Sequence, residues 1–269
     1  MAEIHNTALK IDISEFETYK LQNYSLGFFN IREVFATPEE TEALTVLKQG
    51  PVKRSFAGLL NRPVIRPSSY VMEKFFHFDR EILTLSDNVY LDGYWQSEKY
   101  FIDIESVIRE ELTVKTLQKG KDRELGDTMS ACESVSLHIR RGDYVSDPAT
   151  NRIHGICGLD YYRRAVNEIT RFVRDPHFFI FSDDHKWARD NLKLDNRTTF
   201  VDHNKADKNY EDLRMMGQCK HNIIANSTFS WWGAWLNENM DKIVIAPATW
   251  FHDKSRNAGD IIPDGWLKI

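Results

Sequence analysis

Cysteine is scarce in this chain. Cys132, Cys157 and Cys219 are the only three among 269 residues, widely spaced and without a Cys-x-x-Cys pair. That excludes a disulfide framework and a structural zinc centre, and it fits a reducing compartment. A run of about 18 apolar residues is also absent, as is an apolar leader with a cleavage site, so neither a membrane-spanning helix nor a secretory signal is legible. The chain reads as cytoplasmic. Positive charge is not in excess either: 35 Lys and Arg stand against 40 Asp and Glu, for a net charge of -5. Such a balance offers no general attraction to nucleic acid, so any recognition by arginine has to be local. What remains, 42% hydrophobic and 28% charged, is ordinary for a globular protein, and the length suits two moderate domains.

The two halves differ in rhythm. Up to about residue 125, a strand candidate at Leu9–Ile13 and a helix start at Thr37-Pro38-Glu39-Glu40 are separated by stretches of poor periodicity. In that start Thr37 is the cap, Pro38 the first helical residue, and the two acids favour the positive end of the helix dipole. Apolar residues at Tyr100, Ile102, Ile104, Val107, Ile108 and Leu112 predict an amphipathic helix over 97–112. Gln118–Ser130, rich in Lys, Asp, Glu and Gly, reads as a linker. Beyond it the alternation is clean: apolar runs at Ser134–Ile139, Pro176–Ser182, Thr198–Val201, Asn222–Ala225 and Lys242–Ala246 are separated by helical stretches. Repeated β-then-α units imply a doubly wound parallel sheet. The expected class is α/β, with two Rossmann-like domains, 1–125 and 126–269, facing across a cleft.

The richest segment is His138-Ile139-Arg140-Arg141-Gly142-Asp143-Tyr144, which follows the strand candidate Val135-Ser136-Leu137. Ligands of open α/β sheets bind outside the carboxyl ends of strands, and arginine grips phosphate through a planar, permanently charged fork. On a period-2 strand His138 and Arg140 share one face with Ser136, while Arg141 shares the other with Leu137 and Ile139. The two guanidiniums therefore diverge, so that one can reach a phosphate ester while the other anchors the loop. The adhesion tripeptide Arg141-Gly142-Asp143 arises by chance too readily to carry weight.

His-x-Arg-Arg-Gly-Asp-Tyr, followed by Phe181-Ser182-Asp183-Asp184 and by Ala225-Asn226-Ser227-Thr228-Phe229-Ser230-Trp231-Trp232-Gly233-Ala234-Trp235-Leu236, resembles the bacterial α-1,2-fucosyltransferases, glycosyltransferase family 11. Tyr90-Leu91-Asp92-Gly93-Tyr94-Trp95-Gln96-Ser97 upstream, and Ala246-Pro247 with Trp250 downstream, are similar too. The resemblance implies the two-domain GT-B architecture. It also implies an inverting transfer of L-fucose from GDP-β-L-fucose to the 2-hydroxyl of a terminal β-galactoside, without a metal or other cofactor. The implied setting is lipopolysaccharide or capsular glycan synthesis, with peripheral association at the inner membrane. One departure stands out. Family members begin with a strand and a Gly-Gly-Leu-Gly-Asn-Gln loop, whereas Met1-Ala2-Glu3-Ile4-His5-Asn6 resembles the tail of the helix that follows, so the N-terminal domain is expected to be incomplete.

Within this frame His138, Arg140, Asp212, Asn226, Ser227, Thr228 and Ser230 are the candidate donor-binding residues, with Arg140 the catalytic contact to the diphosphate and Arg141 the structural anchor of the loop. The segment Asn226–Ser230 follows a strand and opens a helix, a geometry that suits both capping and anion binding. Asp212 is a candidate for the guanine edge or a plain helix-face acid. Asp183 and Asp184 could hold Mg²⁺, but the reading preferred is a helix N-terminal carboxylate. Tyr94, Trp95 and Trp250 are candidates to stack on the acceptor sugar, with core packing as the alternative, and Trp231, Trp232 and Trp235 are assigned to packing. For the base, Asp143 is the first candidate and His154 the alternative; Asp143 could instead brace the arginines. The competing functions are a fucosyltransferase of another linkage, α-1,6 or protein O-linked, and a GDP-sugar-binding pseudoenzyme.

Overall fold

The computed structural model describes residues 1–17, 24–47 and 66–269, and the chain divides into two compact units, Met1–Thr113 and Val114–Ile269. In the first unit, α1 is Ala2–His5 and α2 is Pro38–Thr45. The start of α2 matches the sequence expectation. Thr37 Oγ1 accepts from Glu40 N at 3.3 Å and Glu40 Oε2 accepts from Thr37 N at 3.0 Å, which satisfies two otherwise orphaned donors. The strand expected at Leu9–Ile13 is reduced to a single parallel bridge between Ile11 and Phe35. Two short strands, β1 (Tyr70–Met72) and β2 (Tyr90–Asp92), pair in parallel. The helix expected over 97–112 is broken into 3-10 turns at Glu98–Tyr100 and Ile102–Ile104, followed by α3, Glu105–Glu111. Phe101 sits at φ -142° and ψ 5°, outside the helical region, so the apolar spacing runs through tight turns rather than one continuous helix.

The second unit is a doubly wound sheet. In chain order it runs α4 (Gly120–Ser130), β3 (Ser134–Ile139), α5 (Gly142–Ser146), α6 (Pro148–His154), α7 (Leu159–Ile169), β4 (His177–Ser182), α8 (His185–Asn191) and β5 (Thr198–Val201). It continues with α9 (Asn209–Gln218), β6 (His221–Ile223), α10 (Thr228–Leu236), β7 (Val244–Ala246) and β8 (Leu267–Lys268). All six strands pair in parallel, in the order β5-β4-β3-β6-β7-β8. Counted within the unit this is 3-2-1-4-5-6, the order in which the winding reverses between the first and fourth strands, and ligands bind at that reversal. Here the reversal separates β3 from β6, where Leu137 faces Ile223.

The period-2 pattern of the strands sorts their side chains onto two helix layers. Val135, Leu137, Ile139, Phe178 and Ile180 pack with Tyr162, Ala165 and Ile169 of α7 and Ala188 of α8. On the opposite face Phe179, Phe181 and Val201 pack with Met129 of α4 and Met215 and Met216 of α9. Burying each such large side chain contributes about 1.5–3 kcal/mol. The same packing corrects the linker reading of Gln118–Ser130: polar composition suggested a loop, but Met129 with partly buried Leu125 forms an apolar stripe that holds α4 on the sheet.

Candidate active site

β3 delivers Arg140 and Arg141 to the carboxyl edge of the sheet, beside the winding reversal, and their side chains diverge. Arg140 Nη2 lies 2.6 Å from Asp143 Oδ1 and Nη1 lies 2.9 Å from Asp183 Oδ2, with the guanidinium 5.4 Å from the centre of the Tyr144 ring. Arg141 turns the other way. Its Nε meets Asp184 Oδ2 at 3.2 Å, and its guanidinium lies 4.0 Å from the Trp187 ring centre. Asp184 caps α8 by accepting from Trp187 N at 3.0 Å, whereas Asp183 does no capping; it accepts from Arg141 N at 2.8 Å and pairs with Arg140. Of the two acids, only Asp184 is therefore the helix N-terminal carboxylate that the sequence suggested for both. Gly142 is fixed by this arrangement, since a Cβ there would sit 2.8 Å from Asp183 Oδ2.

Across the reversal, β6 runs through Ile224-Ala225-Asn226 into α10. Ser227 is the N-cap, yet no side chain caps the helix. The amides of Thr228, Phe229 and Ser230 find no acceptor among the described residues. Unpaired first-turn amides and the helix dipole together favour an anion. Buried His138 lies on this side, its ring 5.7 Å from that of Phe229, and its Nδ1 has no partner among the described residues. Burial, followed by the Arg140 charge, pushes His138 down to about 3, so the ring is neutral at physiological pH.

Two candidates turn out to serve the loop rather than open space. Asn226 is buried, and its Nδ2 donates to the carbonyls of His154 at 2.8 Å and Trp250 at 3.1 Å, while its Oδ1 accepts from Cys157 Sγ at 3.4 Å. Ser230 Oγ donates back to Ser227 O at 3.2 Å. Tyr144 Oη donates to Asn226 O at 3.2 Å and Tyr161 Oη to Ile224 O at 2.6 Å. His154 ends α6 with its ring stacked on Tyr144 at 4.8 Å, and burial, reinforced by Arg256, lowers its pKa. The protein thus ties down the crossing from β6 to α10, and among the described residues the hydroxyls of Ser227 and Thr228 have no partner.

This site can be compared with known proteins. The family described as Glycosyl transferase family 11 matches residues 67–269. The chain belongs to glycosyl transferase family 11. It is 31% identical over 271 residues to an α-1,2-colitosyltransferase of Escherichia coli, covering 98% of this chain and 89% of that protein. It is 40% identical over 141 residues to the O-antigen biosynthesis glycosyltransferase WbnK of Escherichia coli, covering 51% of this chain and 46% of that protein. To galactoside α-(1,2)-fucosyltransferase 1 of Mus musculus it is 26% identical over 234 residues, covering 79% and 58%. The chain is a glycosyltransferase, and the resemblance drawn from its motifs holds.

Asp212 of this family 11 glycosyltransferase has polar partners of its own. Asp212, in the first turn of α9, accepts from Asn204 Nδ2 at 2.8 Å, and the same nitrogen donates to Asp122 Oδ1 at 2.9 Å. His203 Nε2 also meets Asp122, at 2.7 Å. Burial, together with Asp122 and Glu211, pushes Asp212 up to about 7 from an ordinary 3.8. A folded-state pKa above the unfolded one stabilises the fold at low pH, and that contribution is lost as pH rises from about 4 through about 7. Asp212→Asn should therefore stabilise the protein at pH 8 and be close to neutral at pH 4, as read by urea melts. An equal effect at both values would mean that the carboxyl carries no such strain.

In the first unit Tyr94 is 77% exposed and Trp95 is half-buried. Trp250, in the second unit, is 3% exposed, so it offers no ring face and belongs to the core, which corrects its reading as an acceptor contact. Trp231 and Trp235 are buried and stacked on each other. Reading the sequence missed Tyr144, Tyr161 and Cys157 as ties of the loop. Tyr144 lies inside the quoted motif and could have been found there; nothing in the sequence marks the other two.

Proposed function

We propose that the chain transfers L-fucose from GDP-β-L-fucose to the 2-hydroxyl of a terminal β-galactoside, with inversion at C1. The observation that carries this reading is that the Arg140 fork and the unpaired amides that open α10 follow the carboxyl ends of two neighbouring strands, β3 and β6, at the winding reversal. Each is a source of positive potential of the kind that stabilises a leaving diphosphate. The galactoside oxygen forms a bond to C1 as the bond from C1 to the β-phosphate oxygen breaks, GDP departs with the electron pair, and the hydroxyl proton passes to a base. Arg140 and the α10 amides stabilise the departing diphosphate, a kind of contact worth about 3 kcal/mol in the transition state. The hydroxyls of Ser227 and Thr228 add donors, and neutral His138 supplies a hydrogen bond without a charge.

Asp143 is engaged by Arg140, and a diphosphate at Arg140 would compete for that guanidinium and free the carboxylate to take the proton. His154, neutral and stacked beside it on Tyr144, is the alternative base. Asp212 is assigned to the guanine edge, which requires its ionised form. The reading extends to the GT-B class of architecture, with acceptor recognition assigned to the first unit. It extends also to surface-glycan synthesis at the inner membrane. The O-antigen role in the name of WbnK supports that setting, and among the described residues no helix is long and apolar enough to cross a membrane. A second reading is favoured by the α-1,2-colitosyltransferase: the donor sugar is colitose, which is L-fucose lacking the 3-hydroxyl.

The test is transfer to a β-galactoside from each GDP-sugar, in excess EDTA. Asp183 and Asp184 are held by arginines and a helix cap, and no cluster of three metal-ligating side chains occurs among the described residues. Turnover of GDP-fucose is therefore expected to persist in the chelator, with a higher kcat/KM than the colitose donor. Loss of activity restored by Mg²⁺ or Mn²⁺ would refute the guanidinium as the cation at the diphosphate, and a reversed donor preference would establish the second reading.

A further inference from the structure

The loop that carries Tyr94 and Trp95 is tied to the residue that follows β1. Glu73 continues β1, and its amide donates to Asp92 O at 2.7 Å, so its backbone is set by the ladder with β2. From there its carboxylate crosses to the loop and accepts two successive amides, Tyr94 N at 2.8 Å on Oε2 and Trp95 N at 3.1 Å on Oε1. Hydrogen bonds to an ionised acceptor are the stronger kind, and two from consecutive residues fix the direction of the chain. Trp95 is driven into the left-handed region at φ 49°, which a bulky residue adopts only when its surroundings over-determine it. Gly93 is compelled by the same contact, because a Cβ there would lie 2.4 Å from Glu73 Cβ.

The rings are placed to match. Trp95 meets Tyr100 edge-on at 5.8 Å, and Tyr100 in turn packs on Phe78 at 4.8 Å and accepts from Asp79 N at 2.9 Å. With Trp95 held from behind, Tyr94 is left 77% exposed. A strained turn that projects an aromatic ring into solvent has no packing reason of its own. It does suit the apolar face of a pyranose, which aromatic rings cover while their polar tips bond the hydroxyls.

We propose that Glu73 is a positioning residue for acceptor recognition: its carboxylate, by gripping the amides of Tyr94 and Trp95, holds the two rings as a fixed platform for the galactoside. This rests on the reading of Tyr94 and Trp95 as acceptor contacts. Glutamine at 73 keeps the length but turns one of the two acceptors into a donor facing an amide, so the loop loses its register while the donor site, in the other unit, keeps its residues.

The experiment is steady-state kinetics with GDP-fucose as donor and methyl β-D-galactopyranoside as acceptor, on wild type, Glu73→Gln, Gly93→Ala and Tyr94→Ala, with thermal melts of each. Glu73→Gln is expected to raise the acceptor KM by about tenfold, the scale of losing a charge-assisted hydrogen bond, with kcat and donor KM near wild type. Gly93→Ala should do the same by pushing the loop off the carboxylate, which keeps the test open if the Gln variant folds poorly. An unchanged acceptor KM in both folded variants, with a raised one in Tyr94→Ala, would overturn the role of Glu73. An unchanged acceptor KM in Tyr94→Ala would overturn the platform itself. A fall in kcat with acceptor KM unmoved would mark Glu73 as merely structural.

Discussion

Arg140→Lys is expected to lower kcat by about 100- to 1000-fold while the protein melts close to wild type. The loss follows from shape, not charge. An ammonium keeps the positive charge but is a compact point on a flexible stem, whereas the guanidinium presents two nitrogens in one plane. Those nitrogens now point to Asp143 and Asp183, and a diphosphate would take up the same fork. Removing one preorganised donor to a developing negative charge costs about 3–4 kcal/mol. The fold should hardly notice, because the pair is partly exposed and Lys can still neutralise the two carboxylates. Arg141→Lys should show the opposite balance. It loses the contact over Trp187 and the bond to Asp184 that ties the loop to α8, and a cation–π contact is worth about 0.5–2 kcal/mol. Thermal melts and kinetics on both variants separate the assignments, and the reverse ordering would mean that the two arginines are exchanged.

Asn226→Ala should lower stability by roughly 2–4 kcal/mol and reduce transfer along with it. The side chain has three partners, and truncating it leaves two carbonyls, that of part-buried His154 and that of buried Trp250, without donors. Each buried polar group so orphaned costs about 1–3 kcal/mol. The effect on activity comes through geometry, since Ser227 and the free amides of α10 follow Asn226 directly and lose their placement with it. Urea melts monitored by tryptophan fluorescence read the first effect. A variant as stable as wild type would show that Tyr144 and Tyr161 alone hold the crossing.

The second unit was legible because its signals were local and strong. Ser134–Ile139 reads as a buried strand from composition, and β3 spans those residues, with the divergence of Arg140 and Arg141 following from alternation alone. What escaped was set by tertiary context. α4 looked like a linker because a helix with one apolar stripe and many charges has a loop's composition, and only its partners on β4 and α9 reveal the stripe. Asn226 looked like a ligand contact because an amide beside a helix start suits either use. The three acceptors and donors that engage it come from residues 72 and 69 positions upstream and 24 downstream, and no spacing rule reports them. Glu73 gave no signal at all, since its function lies in a loop some twenty residues on.

The most direct measurement is a crystal structure of the chain with GDP. The β-phosphate is expected within hydrogen-bond distance of the Arg140 guanidinium and of the Thr228 and Phe229 amides, with the Arg140–Asp143 pair opened and the guanine edge on Asp212. A diphosphate held instead by a divalent ion on Asp183 and Asp184, or lying away from the start of α10, would contradict the account.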